Sequence, residues 1–207
     1  MNRRIQLALK RAFDIVVSFA VLTLLSSLIG LISLAIQLTT GSPVLFRQAR
    51  PGYKGKPFTL LKFRTMTEDR DAEDNLLPDG DRLTPVGRFL RGTTLDELPE
   101  FINVLRGEMS LVGPRPLLMR YYPYYTEEER ARFDVLPGMT GLAFVSGRND
   151  LSWDERLALD VWYSRNWSLA LDVRILLLTV HRVITKQGFQ VDPAEVMLDL
   201  DEERRLR

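Results

Sequence analysis

Asp96 and Glu97 stand side by side in the stretch Thr93-Thr94-Leu95-Asp96-Glu97-Leu98-Pro99-Glu100. Taken alone, the pair is satisfied by a structural role. Thr94-x-x-Glu97 fits a capping box, and acids in a first helical turn complement the helix dipole. The surroundings point elsewhere. Arg88 and Arg91 lie just upstream, and Gly113-Pro114-Arg115-Pro116 lies just downstream. An arginine between two prolines sits on a stiff turn, so its guanidinium loses little freedom when it grips an oxyanion. Ser146-Gly147-Arg148-Asn149 follows the backbone-permissive Pro137-Gly138-Met139-Thr140-Gly141 and offers a further basic loop. With no cysteine and one histidine, His181, in 207 residues, thiolate chemistry, disulfides and histidine-rich metal sites are excluded. What remains is carboxylates, arginines, hydroxyls and a hard metal ion, a set suited to phosphate chemistry.

These groups need elements to hold them. Leu95, Leu98, Phe101, Ile102 and Leu105 recur at helical spacing with Gly107 as a stop, and Pro99 favours a helix start at or near Asp96. Pro51-Gly52-Tyr53-Lys54-Gly55-Lys56-Pro57 separates two β-like runs, Val44–Arg47 and Phe58–Arg64, as in a hairpin. Thr67–Asp81 is acidic and poor in apolar residues, hence a solvated loop or frayed helix. Arg174–Lys186 places Ile175, Leu178, Val183 and Ile184 among basic residues, a pattern that suits an interfacial helix and a core-facing surface helix equally. Asp160 and Asp172 are expected to support the arginine loops through salt bridges. His181 reads as a surface histidine, and the acidic run Asp199–Glu203 as a solvated tail.

The strongest single signal is apolar. Ile15–Leu38 is a run of 24 mostly apolar residues inside a 32-residue stretch free of charge. As a straight helix it would reach about 36 Å, enough for a hydrocarbon core of roughly 30 Å. Arg3, Arg4, Lys10 and Arg11 precede it, and Arg47, Arg50, Lys54 and Lys56 follow. Since lysine and arginine collect on the cytoplasmic side, both ends read as cytoplasmic. A helix that breaks at Ser26-Ser27 or Gly30 and returns satisfies both flanks, with a single span as the alternative. The net charge of +1 conceals an asymmetry, +9 over residues 1–64 and −8 over the rest. The basic end suits anionic lipid, and nothing in the total implies a nucleic-acid partner. The expected class is α+β: a re-entrant helix, helices in the interface plane and a small β element. Residues 1–40 form the basic N-terminus and membrane helix, 41–190 a cytoplasmic interfacial catalytic domain, and 191–207 a charged tail.

Several stretches together resemble the monotopic phosphoglycosyl transferase family of bacterial sugar transferases, in its small single-domain form. They are Lys10-Arg11-Ala12-Phe13-Asp14, Phe46–Gly52, Lys62-Phe63-Arg64-Thr65-Met66 and Leu95–Pro99. Asn103–Pro116, Pro137–Gly141, Gly147-Arg148-Asn149, Asp160–Tyr163 and Leu171-Asp172 continue the match. The resemblance implies transfer of a phosphosugar from a UDP-sugar to polyprenol (undecaprenyl) phosphate with release of UMP, the first membrane step of glycan assembly. It makes Asp96 the nucleophile of a covalent aspartyl intermediate and Glu97 the ligand of a required Mg²⁺. Arg91, Arg115 and Arg148 become phosphate or nucleotide contacts, with Pro114 and Pro116 flanking Arg115 in the substrate-binding set. The implied location is the bacterial inner membrane, with the catalytic domain on its cytoplasmic face. A non-catalytic scaffold of glycan assembly and a nucleotide-sugar hydrolase are the alternative readings. The chain departs from the family where Ser26-Ser27 replaces a common Ser-Pro, and where Phe144 and Ser146 stand for frequent Gln and Asn.

Overall fold

A computed structural model describes residues 2–147, 151–185 and 198–206. In chain order it holds α1 (Arg3–Leu24), α2 (Ser26–Thr39), β1 (Leu45–Pro51), β2 (Pro57–Phe63), α3 (Asp79–Arg82), α4 (Pro85–Thr93) and α5 (Glu100–Arg106). Then come β3 (Ser110–Val112), β4 (Gly138–Thr140), α6 (Leu142–Ser146), α7 (Trp153–Asn166), α8 (Leu169–Thr185) and α9 (Leu200–Arg205). The α+β class is as expected. The hairpin is also where the sequence places it, β1 against β2, with a short 3₁₀ turn at Tyr53–Gly55. The chain packs as two compact units, one of Met1–Asp14, Ala49–Thr59 and Arg106–Arg207, the other of Ile15–Gln48 and Leu60–Leu105.

The second unit is built on α2. Ile32 and Ile36, one helical turn apart, are buried against Phe63, Leu90 and Leu98. Each such side chain contributes about 2 kcal/mol of burial. The opposite stripe stays open: Val16, Phe19, Leu24, Leu31, Leu34 and Leu38 are all exposed. No single described helix is long and apolar enough to cross a membrane, but α1 and α2 together are, bent by 63° at their junction. The bend falls at Leu25 (φ −96°, ψ 11°), directly before Ser26-Ser27, while Gly30 remains inside α2. Backbone bonds continue on both sides, from Leu25 N–H to Val21 and from Ile29 N–H to Leu25. α4 starts on Thr84, whose hydroxyl accepts from the Gly87 amide, with Pro85 as first helical residue. Gly87 is required there: a Cβ would lie 1.9 Å from the Thr65 carbonyl oxygen. Thr67–Asp81 is largely exposed and irregular, as its composition demands.

The first unit centres on an aromatic cluster of Leu117, Tyr121, Tyr125, Phe133, Trp153, Leu157 and Leu200. Tyr121 meets Trp153 edge-on at 5.5 Å and Tyr125 meets Phe133 likewise at 5.4 Å, the geometry that the ring quadrupole favours. β3 and β4 pair in parallel, Ser110 beside Gly138 and Val112 beside Thr140. Their approach leaves no space for a side chain, since a Cβ on Gly138 would stand 2.0 Å from the Gly113 nitrogen. α8 buries Ile175 and exposes Val173, Leu177 and Val180, so one helix carries both a core face and an open apolar face. The side chains of Val183 and Ile184, and Lys186 entirely, lie outside the described residues.

The expectation of a solvated tail at Asp199–Glu203 is corrected. Leu200 is fully buried in the aromatic cluster and Asp201 is buried beside it. Trp153 Nε1 donates to the Leu198 carbonyl at 2.8 Å, and Arg204 pairs with Glu129 and Asp154. Tyr121 donates its hydroxyl to Asp199; burial first and that carboxylate second push its pKa to about 12, so it keeps the proton. The composition of the run hid this docking because one leucine and the hydrogen bonds around it do the anchoring.

Candidate functional site

Asp96 and Glu97 lie on a 3₁₀ turn, Leu95–Glu97, that packs against α4 and leads into α5. The capping box does not form. Thr94 closes α4 in the left-handed region (φ 57°) and its hydroxyl donates to the Thr93 carbonyl instead. Nor does a regular helix begin at Asp96: Leu98-Pro99 form a turn and α5 starts at Glu100. Pro99 has no N–H for a helix interior, so the residues before it settle into the tighter 3₁₀ geometry. α5 does end at Gly107, which takes a φ of +80°.

This turn delivers three carboxylates to one ammonium. Lys62 Nζ lies 2.7 Å from Glu97 Oε1, 3.3 Å from Glu100 Oε1 and 4.0 Å from Asp96 Oδ2. Glu100 is buried, whereas the side chains of Asp96 and Glu97 keep 13% and 19% of their surface open. The register of Lys62 is set next door, where the Leu61 amide donates to Asn103 Oδ1 of α5 at 3.0 Å. Three acids and one cation leave an excess of two negative charges. Among the described residues no three acidic side chains converge on an empty centre as a ready metal cage. The donor set is still one that Mg²⁺ accepts, because that ion binds through one or two carboxylates plus the phosphates of its substrate. Lys62 and Glu100 were missed from the sequence; Lys62 falls within a stretch of the family resemblance, but 35 residues separate it from Glu97.

Arg91 belongs to the same unit. It is exposed at the end of α4, its Nε donating to Thr65 Oγ1 at 3.0 Å.

Pro114, Arg115 and Pro116 belong to the other unit, and Arg148 lies outside the described residues. Both prolines are buried while Arg115 is half-buried. The turn is anchored by Arg132, whose Nη2 donates to the Arg115 carbonyl and to Asp160 Oδ2 at 2.8 and 2.7 Å. Arg132 and Asp160 are almost wholly buried, 1% and 4% exposed. So Asp160 supports the Arg115 loop as expected, acting through an arginine that sequence reading passed over. Asp172 corrects the expectation: among the described residues its salt bridge is to Lys10, at 2.5 Å, rather than to an arginine loop, and it accepts from Tyr163 and Trp167. Beside the Arg115 turn opens a cavity of about 350 Å³ whose lining includes Arg115, Arg132, Arg156 and Asp160 together with Met139, Ala143 and Phe144. His181 is exposed on α8, as expected for a surface histidine.

Comparison with known proteins agrees with this chemistry. The bacterial sugar transferase pattern matches residues 5–186. The chain is 53% identical over 182 residues to the uncharacterized sugar transferase EpsL of Bacillus subtilis (strain 168), covering 88% of this chain and 90% of that one. It is 42% identical over 186 residues to the UDP-glucose:undecaprenyl-phosphate glucose-1-phosphate transferase of Caulobacter vibrioides, covering 85% of this chain and 70% of that protein. It is 39% identical over 197 residues to the UDP-galactose-lipid carrier transferase of Erwinia amylovora, covering 87% of this chain but 41% of that longer protein. An acid turn gathered on a lysine, an arginine-lined cavity and a match along nearly the whole chain lead to one assignment: this protein belongs to the bacterial sugar transferase family and is a transferase.

Proposed function

We propose that this transferase moves a phosphosugar from a UDP-sugar to polyprenol phosphate, undecaprenyl phosphate in particular, and releases UMP. The observation that carries the reading is the acid turn, where Asp96 stays partly open beside Glu97 and Glu100 on Lys62. An Asp96 oxygen attacks the phosphorus bonded to the sugar, and UMP leaves with the electrons of the broken P–O bond. A phosphate oxygen of the polyprenol phosphate then attacks the same phosphorus. The Asp96 carboxylate departs, and a polyprenyl diphosphate sugar remains. Splitting the transfer this way lets each substrate react in turn with a group already in place.

Glu97 is the residue to hold Mg²⁺, which when bound offsets the charge on the donor's diphosphate. Lys62 fixes the Glu97 carboxylate and keeps the three acids from repelling one another. By resemblance the donor's phosphates fall to Arg91, Arg115 and Arg148. Purified protein given Mg²⁺, undecaprenyl phosphate and a panel of UDP-sugars is expected to release UMP with at least one sugar. Glu97→Gln should lower that rate by about 10²-fold or more. UMP release that continues undiminished without the lipid acceptor would mark a hydrolase and overturn the reading.

The same proposal places the bent α1–α2 pair in the inner membrane as a re-entrant element, with the catalytic residues on the cytoplasmic face. Its support is the 63° bend, the open apolar stripe and basic residues at both ends. The chain has no native cysteine, so single cysteines at Asn2 and Ser42 can be labelled cleanly. Both should react with an impermeant maleimide in inverted membrane vesicles and neither in right-side-out ones. Labelling from opposite sides would make the segment a single span.

A further inference from the structure

Lys10 reads in the sequence as one of the basic residues flanking the apolar segment, but in the folded chain it is turned inward. Its Nζ lies 2.5 Å from Asp172 Oδ2 and donates to the Val112 carbonyl at 2.9 Å, with 13% of the side chain left open. One helical turn on, Asp14 is buried on the same face of α1, and its Oδ1 accepts from the Leu111 amide at 3.1 Å. All of these contacts fall within the first unit. Two side chains four residues apart on α1 therefore grip two successive residues of β3. That strand runs straight into Gly113-Pro114-Arg115-Pro116.

The arrangement completes the bonding of a very short strand. The Ser110 and Gly113 amides donate to the Pro137 and Thr140 carbonyls, whereas the Leu111 amide between them is met by Asp14 from α1. The Lys10 contact is itself held in place. Asp172 accepts from the Tyr163 hydroxyl at 2.6 Å and from Trp167 Nε1 at 2.9 Å, and that hydroxyl also lies 3.1 Å from the Val112 carbonyl. Burial first, and Asp172 next, push the Tyr163 pKa far above its ordinary value, so the hydroxyl keeps its proton. Lys10 thus meets a carboxylate oriented by two other donors, in a buried setting where a charged hydrogen bond is strong.

We infer that Lys10 and Asp14 are positioning residues of the transferase, which fix β3 from α1 and, through β3, the entry to the Arg115 turn. Arg132 holds the same turn at the Arg115 carbonyl. The inference rests on the reading that gives Arg115 the donor's phosphates, and it adds what aims that arginine. A guanidinium grips phosphate through paired, directional bonds, so a turn that drifts by about 1 Å loses hold of the donor.

The test uses Lys10→Met and Asp14→Ala in the full chain in detergent, with two readouts. Hydrogen exchange by mass spectrometry should rise about fivefold or more in peptides spanning 108–118 and keep wild-type rates in those spanning α4 and α5. In the UMP-release assay both variants should raise the donor KM about fivefold or more, with kcat within twofold of wild type. A merely structural role would remove folded enzyme, lowering the rate at every donor concentration and leaving KM where it is. Asp14→Asn keeps an acceptor oxygen for the Leu111 amide and should restore both readouts. In an Arg115→Gln background Lys10→Met should change KM by less than twofold, because the residue it aims is already gone. Should Lys10→Met not fold, Asp14→Ala decides alone. A KM within twofold of wild type, or exchange that rises evenly over the chain, overturns the inference. A wild type that releases no UMP from any UDP-sugar overturns the proposed reaction instead, and the exchange rates then still decide whether Lys10 and Asp14 hold the turn.

Discussion

Asp96→Asn is expected to lower UMP release by about 10³-fold or more, the scale on which loss of a nucleophile is felt. An amide oxygen cannot form the acyl phosphate and leave again as a carboxylate. The change should cost little stability, because Lys62 Nζ, 4.0 Å from Asp96, is held more closely by Glu97 and Glu100. Thermal unfolding therefore separates a lost reaction from a lost fold. A second readout goes to the intermediate. With donor and Mg²⁺ but no lipid acceptor, intact mass should show wild type heavier by one phosphosugar and Asp96→Asn unmodified. An adduct on the variant, or activity within tenfold of wild type, would remove the nucleophile from Asp96.

The largest expected effect on stability comes from the pair beneath the Arg115 turn. Arg132→Met leaves Asp160 buried with its main partner gone, and removing one member of a buried ion pair costs about 3–5 kcal/mol. It also strips the Arg115 carbonyl of its donor. Burial already holds the Asp160 carboxyl above its ordinary range, against the pull of Arg132 and the smaller pull of Arg156. The double variant Arg132→Met/Asp160→Leu should recover part of the loss, since no buried charge is then unpaired. Denaturant unfolding of the two single variants and the double variant closes the cycle. Additive losses would mean that the two side chains do not depend on one another. Exposed pairs such as Lys54 with Asp134 contribute little by comparison, because water screens both partners.

Much of this molecule is written in short-range pattern. The hairpin announces itself through a Pro- and Gly-rich turn between two β-like runs, and α5 through helical spacing closed by Gly107. The break in the apolar segment falls beside Ser26-Ser27, one of the two places its composition allows. Misreadings arose where two local signals compete. Thr94 fits an N-cap by spacing, but it follows a helix that ends on it, so it serves α4 as a C-cap and leaves the acid turn to 3₁₀ geometry. The run Asp199–Glu203 is acidic enough to be called solvated, yet one buried leucine and the indole of Trp153 are enough to dock it.

By itself the amino-acid order determined the α+β class, the family, the candidate acids Asp96 and Glu97, the stiff Arg115 turn and the apolar segment with basic ends. Each of these is carried by residue types at fixed short spacing, which local sterics and periodicity translate directly. Only the folded chain decided that Lys62 and Glu100 complete the acid cluster, that Arg132 and Asp160 brace the Arg115 turn, and that Arg156 faces a cavity with Phe144. Lys62 lies 35 residues from Glu97, and Arg132 lies 28 from Asp160. No local rule reaches so far, since such contacts come from packing one element on another, where burial selects which charged groups must meet.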